Sequence, residues 1–333
     1  MLPETWERLF EVRNTFEHPV VRFLALGLVG LMVISPVIIQ VLTAIGKADA
    51  KLRKDLWDRY WSWLVFIPLM FGPVVLGAIW VIAGTVLLAL ACYREFARAT
   101  GIFRERTMSA LVVVGILACG AAVADHWYGF FVAIPPLMLG IMAAAAILAD
   151  MPRGYIQRLA LAVFAFLLFG VCFGYLGYFA NDVNYRAIIW WLISAVGLND
   201  IFAYITGKSF GRRKLAPNTS PNKTVAGSLG ALVLTTTFAA VLGHWVFRGT
   251  KMDMPVHLIT VGLIISVAGQ FGDLTLSSIK RDLGIKDWAN TFPGHGGFLD
   301  RFNSLIFAAP AAFHYLSFIL GGIGLPEEKR IFF

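Results

Sequence analysis

Charge is what this chain lacks most: Asp, Glu, Lys and Arg make up 14% of its 333 residues. Soluble domains carry roughly 25%, and 58% of this chain is hydrophobic, with a mean hydropathy of +0.73. That combination excludes an ordinary soluble domain and predicts a polytopic membrane protein. Cysteine is also scarce. Cys92, Cys119 and Cys172 lie in or beside apolar runs, as small core residues do, so neither a disulfide framework nor a Cys/His zinc cluster is expected. The N-terminal stretch "MLPETWERLFEVRNTFEHP" has no small-residue cleavage site and reads as an interfacial helix, not a signal peptide. No internal inverted repeat is visible, and no region outside the apolar runs is large enough for a soluble domain.

Long apolar runs are abundant. A helix needs about 20 such residues to cross the hydrocarbon core. Uncharged runs of that order fall at 23–46, 60–93, 107–124, 126–149, 159–181, 224–247 and 302–326. Two more, 187–207 and 254–279, are each interrupted by one acid, Asp200 and Asp273. The 60–93 run is too long for one span, and "FGPVV" at 71–75 offers a turn within it. The expectation is an all-α polytopic membrane protein of nine or ten transmembrane helices with a polar site facing the cytoplasm. Residues 1–106 would form the interfacial segment and first helices, and residues 107–333 the catalytic region.

The net charge of +8 is concentrated in loops. Segment 208–223 carries Lys208, Arg212, Arg213, Lys214 and Lys223 without an acid, and segment 280–301 carries Lys280, Arg281, Lys286 and Arg301. Two spans separate them, so both face one side, and the bias of short loops toward Lys and Arg makes that side the cytoplasm. Loops 94–106 and 150–158 then share it, while the opposite turns, "ADHW" and "ANDVNY", are poor in bases. Basic loop 47–59 joins them only if 60–93 is a hairpin. Basic loops mostly report orientation, with contact to anionic lipid head groups or nucleotides as a second role.

Asp200 lies eight residues before Lys208, and Asp273 seven before Lys280. At about 1.5 Å per residue, each carboxylate sits roughly 10–12 Å inside the cytoplasmic end of its span. Acids are costly there and usually face a cavity, a partner or an ion. Asp300 opens the last span at a similar level. Three carboxylates can thus converge beneath two basic loops, a donor set that suits a hard cation such as Mg²⁺ together with substrate phosphates. "GKSFGRRKLAPNTSPNKT" can bend around an anion while its bases neutralise it, although it lacks Walker spacing. "TFPGHGGFLD" places His295 and the N–H groups of Gly296 and Gly297 before a helix start, where anions are favoured. The residues alone point to a membrane enzyme that joins a phosphorylated lipid to a cytoplasmic nucleotide.

The stretch "SSIKRDLGIKDWANTFPGHGGFLDRFN", 277–303, resembles the signature of the phosphatidate cytidylyltransferases, with Ser277, Lys280, Arg281, Lys286, Asp287, His295, Gly296, Gly297, Asp300 and Arg301 in register. "NDIFAYITGKSFGRRKLAPNTSPNKT", 199–224, is similar to a second segment of that family. The resemblance covers roughly the last 130 residues.

It implies transfer of CMP from CTP to phosphatidic acid, giving CDP-diacylglycerol and pyrophosphate, with Mg²⁺ and a second, monovalent ion such as K⁺. Asp273 and Asp300 would be metal ligands, with Asp200 either a third carboxylate of the site or a group that orients the bases. Lys280, Arg281, Asp287, His295 and Arg301 would be catalytic. Lys208, Lys214, Ser220, Lys223, Ser277, Lys286, Gly296 and Gly297 would bind substrate. The implied partners are CTP, phosphatidic acid and anionic membrane lipids, with no nucleic acid and with a homodimer as an assembly to test. The implied location is the bacterial inner membrane.

The chain departs from that pattern at three places. Asn303 stands where the family has Asp, "VAG" at 225–227 stands where it has Trp-Glu-Gly, and "GA" at 230–231 replaces Gly-Gly. Asn can offer a cation its carbonyl oxygen but cannot act as a base. These departures leave open a CTP-dependent transferase or kinase acting on another lipid phosphate or a polyprenol. They also leave open an inactive paralogue with a transport or scaffold role.

Overall fold

The structure, a computed structural model, describes residues 7, 9–12, 15–289, 291 and 296–323. Nine of the 19 residues of the N-terminal segment read as an interfacial helix therefore lie outside the described residues, as does His295. The described chain is an all-α membrane protein with ten helices long and apolar enough to cross a bilayer. In chain order these are α1 (Pro19–Ala44), α2 (Ala50–Leu76), α3 (Ala78–Thr100), α4 (Arg106–Ala124), α5 (Tyr128–Leu148), α6 (Tyr155–Asn181), α7 (Tyr185–Phe210), α8 (Val225–Val246), α9 (Pro255–Asp282) and α10 (Phe298–Leu320).

The long run at 60–93 is indeed split, but not at 71–75. Pro73 stays inside α2, and the break falls at Gly77, whose φ of +127° no helix can continue through. A side chain there would also approach the backbone oxygen of Leu9 to 3.2 Å, so glycine meets both demands. The stretch expected as basic loop 47–59 is mostly helical. Asp49 caps α2 by accepting from the Leu52 N–H at 2.7 Å, and the bases that follow occupy its first turns. Beside them stand Trp57, Tyr60, Trp61 and Trp63, the amphipathic rings that collect where a helix meets the head groups. α6 widens into a π-helical stretch at Leu167–Cys172, which no periodicity in the sequence announces.

α1 packs little against the rest of the chain, with only 6% of its most apolar stretch buried, whereas half of that of α7 and of α10 is buried. The packing that matters for the site is among the last four helices, where α7 with α8, α9 with α10, and α8 with α9 make the most extensive contacts. A small antiparallel hairpin interrupts the helices where a basic loop was expected. β1 (Lys214–Ala216) pairs with β2 (Ser220–Thr224), Lys214 opposite Thr224 and Ala216 opposite Ser220. Thr224 then caps α8 by accepting from the Gly227 N–H at 3.1 Å. At Gly227 the two helices nearly touch: a methyl would fall 2.6 Å from the Ala203 carbonyl oxygen. The last residue of "VAG" is thus fixed by the α7–α8 crossing.

Candidate functional site

The helices carrying the acids run further than the sequence suggested. α7 continues past Asp200 to Phe210, and α9 continues past Asp273 to Asp282. Lys208, Lys280 and Arg281 therefore stand on helix and not in loops. Each acid sits two residues, about half a turn, further from its helix end than Lys208 and Lys280 suggested, with the β1–β2 hairpin poised over the acids.

Asp200, Asp273 and Asp300 all line one cavity of about 270 Å³, together with Lys223, Asn303, Gln270 and Ser228. α7, α9 and α10 each contribute one carboxylate, and β2 contributes the ammonium. Lys223 Nζ is in direct contact with Asp273 Oδ2, both side chains being about one-fifth exposed. The other oxygen of Asp273 accepts from the side-chain amide of Asn303. The next residue of α10, Ser304, donates its hydroxyl to Asp200 Oδ2 at 3.2 Å. Two consecutive residues of one helix thus reach two carboxylates on two others. Asn303 Oδ1 is in turn held by the Ser304 N–H at 2.7 Å, which fixes the direction in which its amide donates.

A polar seam continues from the cavity into the bundle. Ser228 donates to Gln270 Oε1, Gln270 Nε2 donates to Ser266 Oγ at 3.2 Å, and Ser266 donates to Asn199 Oδ1 at 2.6 Å. Thr235 donates to the same Asn199 oxygen at 3.0 Å. Hydrogen-bonded partners of this kind let polar groups sit at membrane depth.

Asp300 is the third residue of α10, and its surroundings are the most elaborate. Lys280 Nζ donates to Oδ1 at 2.8 Å, and the backbone N–H groups of Trp288 and Gly297 donate to Oδ2 at 2.9 and 3.0 Å. The Lys280 and Asp300 side chains are only 12% and 7% exposed. The N–H of Gly297, expected to face a phosphate, is thereby already used by Asp300. The next two N–H groups of α10, from Phe298 and Leu299, are used as well. They donate to Glu95 Oε1 and Oε2 at 3.0 and 2.9 Å. The anion at this helix start is the protein's own, which corrects the reading of Gly297 as phosphate-facing backbone. Gly296, at φ +75°, lies so near Asp300 that a methyl would meet its carboxylate at 2.7 Å.

The other sequence-derived candidates surround the cavity. Arg281 Nε donates to the Thr219 carbonyl oxygen at 3.3 Å, and Ser278 Oγ meets Thr219 Oγ1 at 3.4 Å, so the hairpin turn is tied to the end of α9. Lys208 is exposed, its ammonium 5.8 Å from the centre of the Tyr204 ring. Lys214 is exposed on β1, Ser220 opens β2, and Ser277 is buried in α9. Lys286 and Asp287 are exposed in the turn after α9, and Arg301 is exposed on α10. Val225 and Ala226, where the sequence departs from the family pattern, are half-buried and are not among the residues lining the cavity.

Among the described residues, no three His, Cys, Asp or Glu side chains stand close enough to hold a metal ion by themselves. Mg²⁺ does not require such a cage. It is usually bound by one or two carboxylates, with substrate phosphates and water completing its shell. The carboxylate oxygens of Asp200, Asp273 and Asp300 line the cavity, and carboxylate oxygen is chemistry that fits a hard cation. Asp300 uses three of its roughly four acceptor sites within the protein, which leaves capacity for one more partner.

Sequence reasoning missed Glu95 entirely, because "YREFARAT" reads as a basic loop after a span. The available signal was an acid one helical turn inside an otherwise basic helix end.

A model of the cytidylyltransferase family matches residues 57–319. An Escherichia coli (strain K12) protein named uncharacterized protein YnbB is 30% identical over 194 residues, 57% of this chain and 64% of that protein. The phosphatidate cytidylyltransferase of Bacillus subtilis (strain 168) is 40% identical over 159 residues, 46% of this chain and 56% of that protein. The phosphatidate cytidylyltransferase of Aquifex aeolicus (strain VF5) is 40% identical over 121 residues, 35% of this chain and 42% of that protein. The chain thus spans less than two thirds of the length of each of these relatives.

Proposed function

The chain belongs to the cytidylyltransferase family, and from that premise we propose that it transfers CMP from CTP to phosphatidic acid, producing CDP-diacylglycerol and pyrophosphate. The observation that carries this reading is the convergence of Asp200, Asp273 and Asp300 on one cavity that Lys223 enters from the hairpin above. A phosphate oxygen of the lipid attacks the α-phosphorus of CTP, a new P–O bond forms, and the α–β phosphoanhydride breaks. Catalysis of such a transfer rests on positioning and on stabilising charge.

The residues divide that work by location. Lys223 stands in the cavity and can move from Asp273 to a phosphate oxygen when one arrives. Lys208, Arg212, Arg213 and Lys214, on the end of α7 and the start of the hairpin, supply positive charge where the triphosphate would approach from water. Arg281 holds the hairpin turn against α9 and so keeps Lys223 over the acids. Lys280 and the N–H groups of Trp288 and Gly297 hold Asp300 in place. Asn303 and Ser304 orient Asp273 and Asp200 by donating to them and take no proton themselves.

Asp273 and Asp300, with Asp200 beside them, would hold Mg²⁺, and a monovalent ion would add to the same oxygen set. The bound cation supplies charge neutralisation for the leaving pyrophosphate.

The basic ends of α7 and α9 and the hairpin between α7 and α8 lie on one side of the bundle, which supports a site open to the cytoplasm at the inner membrane. Membrane-impermeant labelling of Lys214→Cys tests the orientation: the thiol should react in inverted vesicles and stay protected in intact cells. The reaction itself is tested by incubating purified protein with radiolabelled CTP, Mg²⁺ and phosphatidic acid vesicles. Label should move into the lipid phase as CDP-diacylglycerol, and its absence would sink the proposal.

A further inference from the structure

Glu95 is a 7%-exposed acid far in sequence from the motif, and it makes three hydrogen bonds across to the start of α10. Its Oε1 accepts from the Thr291 hydroxyl at 3.0 Å and the Phe298 N–H at 3.0 Å, and its Oε2 accepts from the Leu299 N–H at 2.9 Å. The fit leaves no slack: a methyl on Gly297 would fall 2.3 Å from Oε2. The neighbouring Phe96 packs its ring on Trp288 at 5.6 Å, and the Trp288 N–H holds Asp300. The cytoplasmic end of α3 therefore grips both ends of the 288–299 segment. A carboxylate from outside and Asp300 from within together satisfy three successive N–H groups at the α10 start. An acid at a helix N-terminus is favoured by the helix dipole as well as by these bonds.

Resting on the cytidylyl-transfer reading above, we infer that Glu95 is a positioning residue for that reaction. By clamping the first turn of α10 it sets where Asp300 and, one turn later, Asn303 stand relative to Asp273. It does not line the cavity that holds the three aspartates, so its effect is transmitted through α10 and not through substrate contact. This assigns the N-terminal half of the chain a part in a site whose other residues all come from the last four helices and their connections. It also assigns Gly297 a second reason to be glycine, as the seat of that carboxylate.

The test uses full-length protein in detergent or nanodiscs, with Glu95→Gln as the near-isosteric variant and Glu95→Ala as the deletion. Two readouts are taken on each: hydrogen exchange of the Phe298 and Leu299 amides without substrate, and steady-state kinetics with CTP and phosphatidic acid. Glu95→Ala should lose exchange protection at both amides. Its kcat should drop on the order of 10²-fold, as displacements of about 1 Å can cause, while KM for CTP stays within about twofold because the bases that meet CTP lie elsewhere. Glu95→Gln, which keeps one carbonyl oxygen, should fall between Glu95→Ala and the wild type in both readouts. Unchanged amide exchange in Glu95→Ala would overturn the clamp. Lost protection with unchanged kcat, or a loss carried by KM, would overturn its role in positioning. If the wild type itself makes no CDP-lipid, it is the proposed reaction that fails, and the exchange result still decides whether the clamp exists.

Discussion

The side-chain amide of Asn303 donates to Asp273 Oδ1, directly across the α9–α10 contact. An amide there makes an uncharged partner for a carboxylate whose other oxygen already meets Lys223. An aspartate at 303 would set two carboxylates against each other unless a proton or cation came between them. The departure at 303 thus lets the acid set hold together on the protein's own hydrogen bonds.

From this contact comes the first prediction, for Asn303→Asp. In the presence of a chelator the variant should be less stable than the wild type by about 1–3 kcal/mol, the usual cost of stripping a buried polar group of its partner. Millimolar Mg²⁺ should restore much of that loss, because the new carboxylate becomes a ligand. Thermal unfolding in detergent with EDTA and with Mg²⁺ measures both. A variant whose stability is indifferent to Mg²⁺ would show that the 273–303 contact does not border a cation site.

Lys280 and Asp300 form the most enclosed ion pair of the site. Replacing Lys280 with Met leaves a buried carboxylate held by two backbone N–H groups alone. Removing one member of a buried pair costs about 3–5 kcal/mol, so Lys280→Met should unfold well before the wild type in a denaturant titration. Lys280→Arg keeps the charge and should lose much less.

Lys223 sits where both the acids and an incoming phosphate can use it. Lys223→Gln removes the charge and keeps a polar side chain one atom shorter. If Lys223 stabilises charge developing on the phosphates, kcat/KM for CTP should fall by roughly 10²–10³-fold, the range seen when a charge-stabilising donor is removed. Asp273 retains its Asn303 partner, so the variant should still fold. Steady-state kinetics at fixed phosphatidic acid gives the ratio.

Much of this architecture is legible in the sequence because bilayer physics imposes it locally. Apolar length gives the spans, and lone acids such as Asp200 and Asp273 stand out because lipid does not tolerate them unaccompanied. The break at Gly77 is displaced from the expected 71–75 because two prolines, Pro68 and Pro73, fit within α2 without ending it. The β1–β2 hairpin is hidden because it is short, polar and built on Pro-Asn-Thr-Ser-Pro, which has no alternation to read. What no local pattern can show is pairing at a distance. Glu95 meets residues some 200 positions later, and Lys223 reaches Asp273 from a strand, so neither follows from spacing. The same limit applies to Gly297. Its N–H was read as an invitation to phosphate, and in the structure it donates to Asp300 while Glu95 takes the next two N–H groups.

The most direct test of the central claim follows the phosphorus atoms of CTP. Protein in phosphatidic acid vesicles with Mg²⁺ is given CTP labelled on the α-phosphorus in one reaction and on the γ-phosphorus in another. Cytidylyl transfer predicts that α-label enters the lipid and γ-label leaves as pyrophosphate, in equal amounts, with both signals lost in Asp273→Asn. Appearance of γ-label in the lipid, as a CTP-dependent kinase would give, or no transfer of either label, would contradict it.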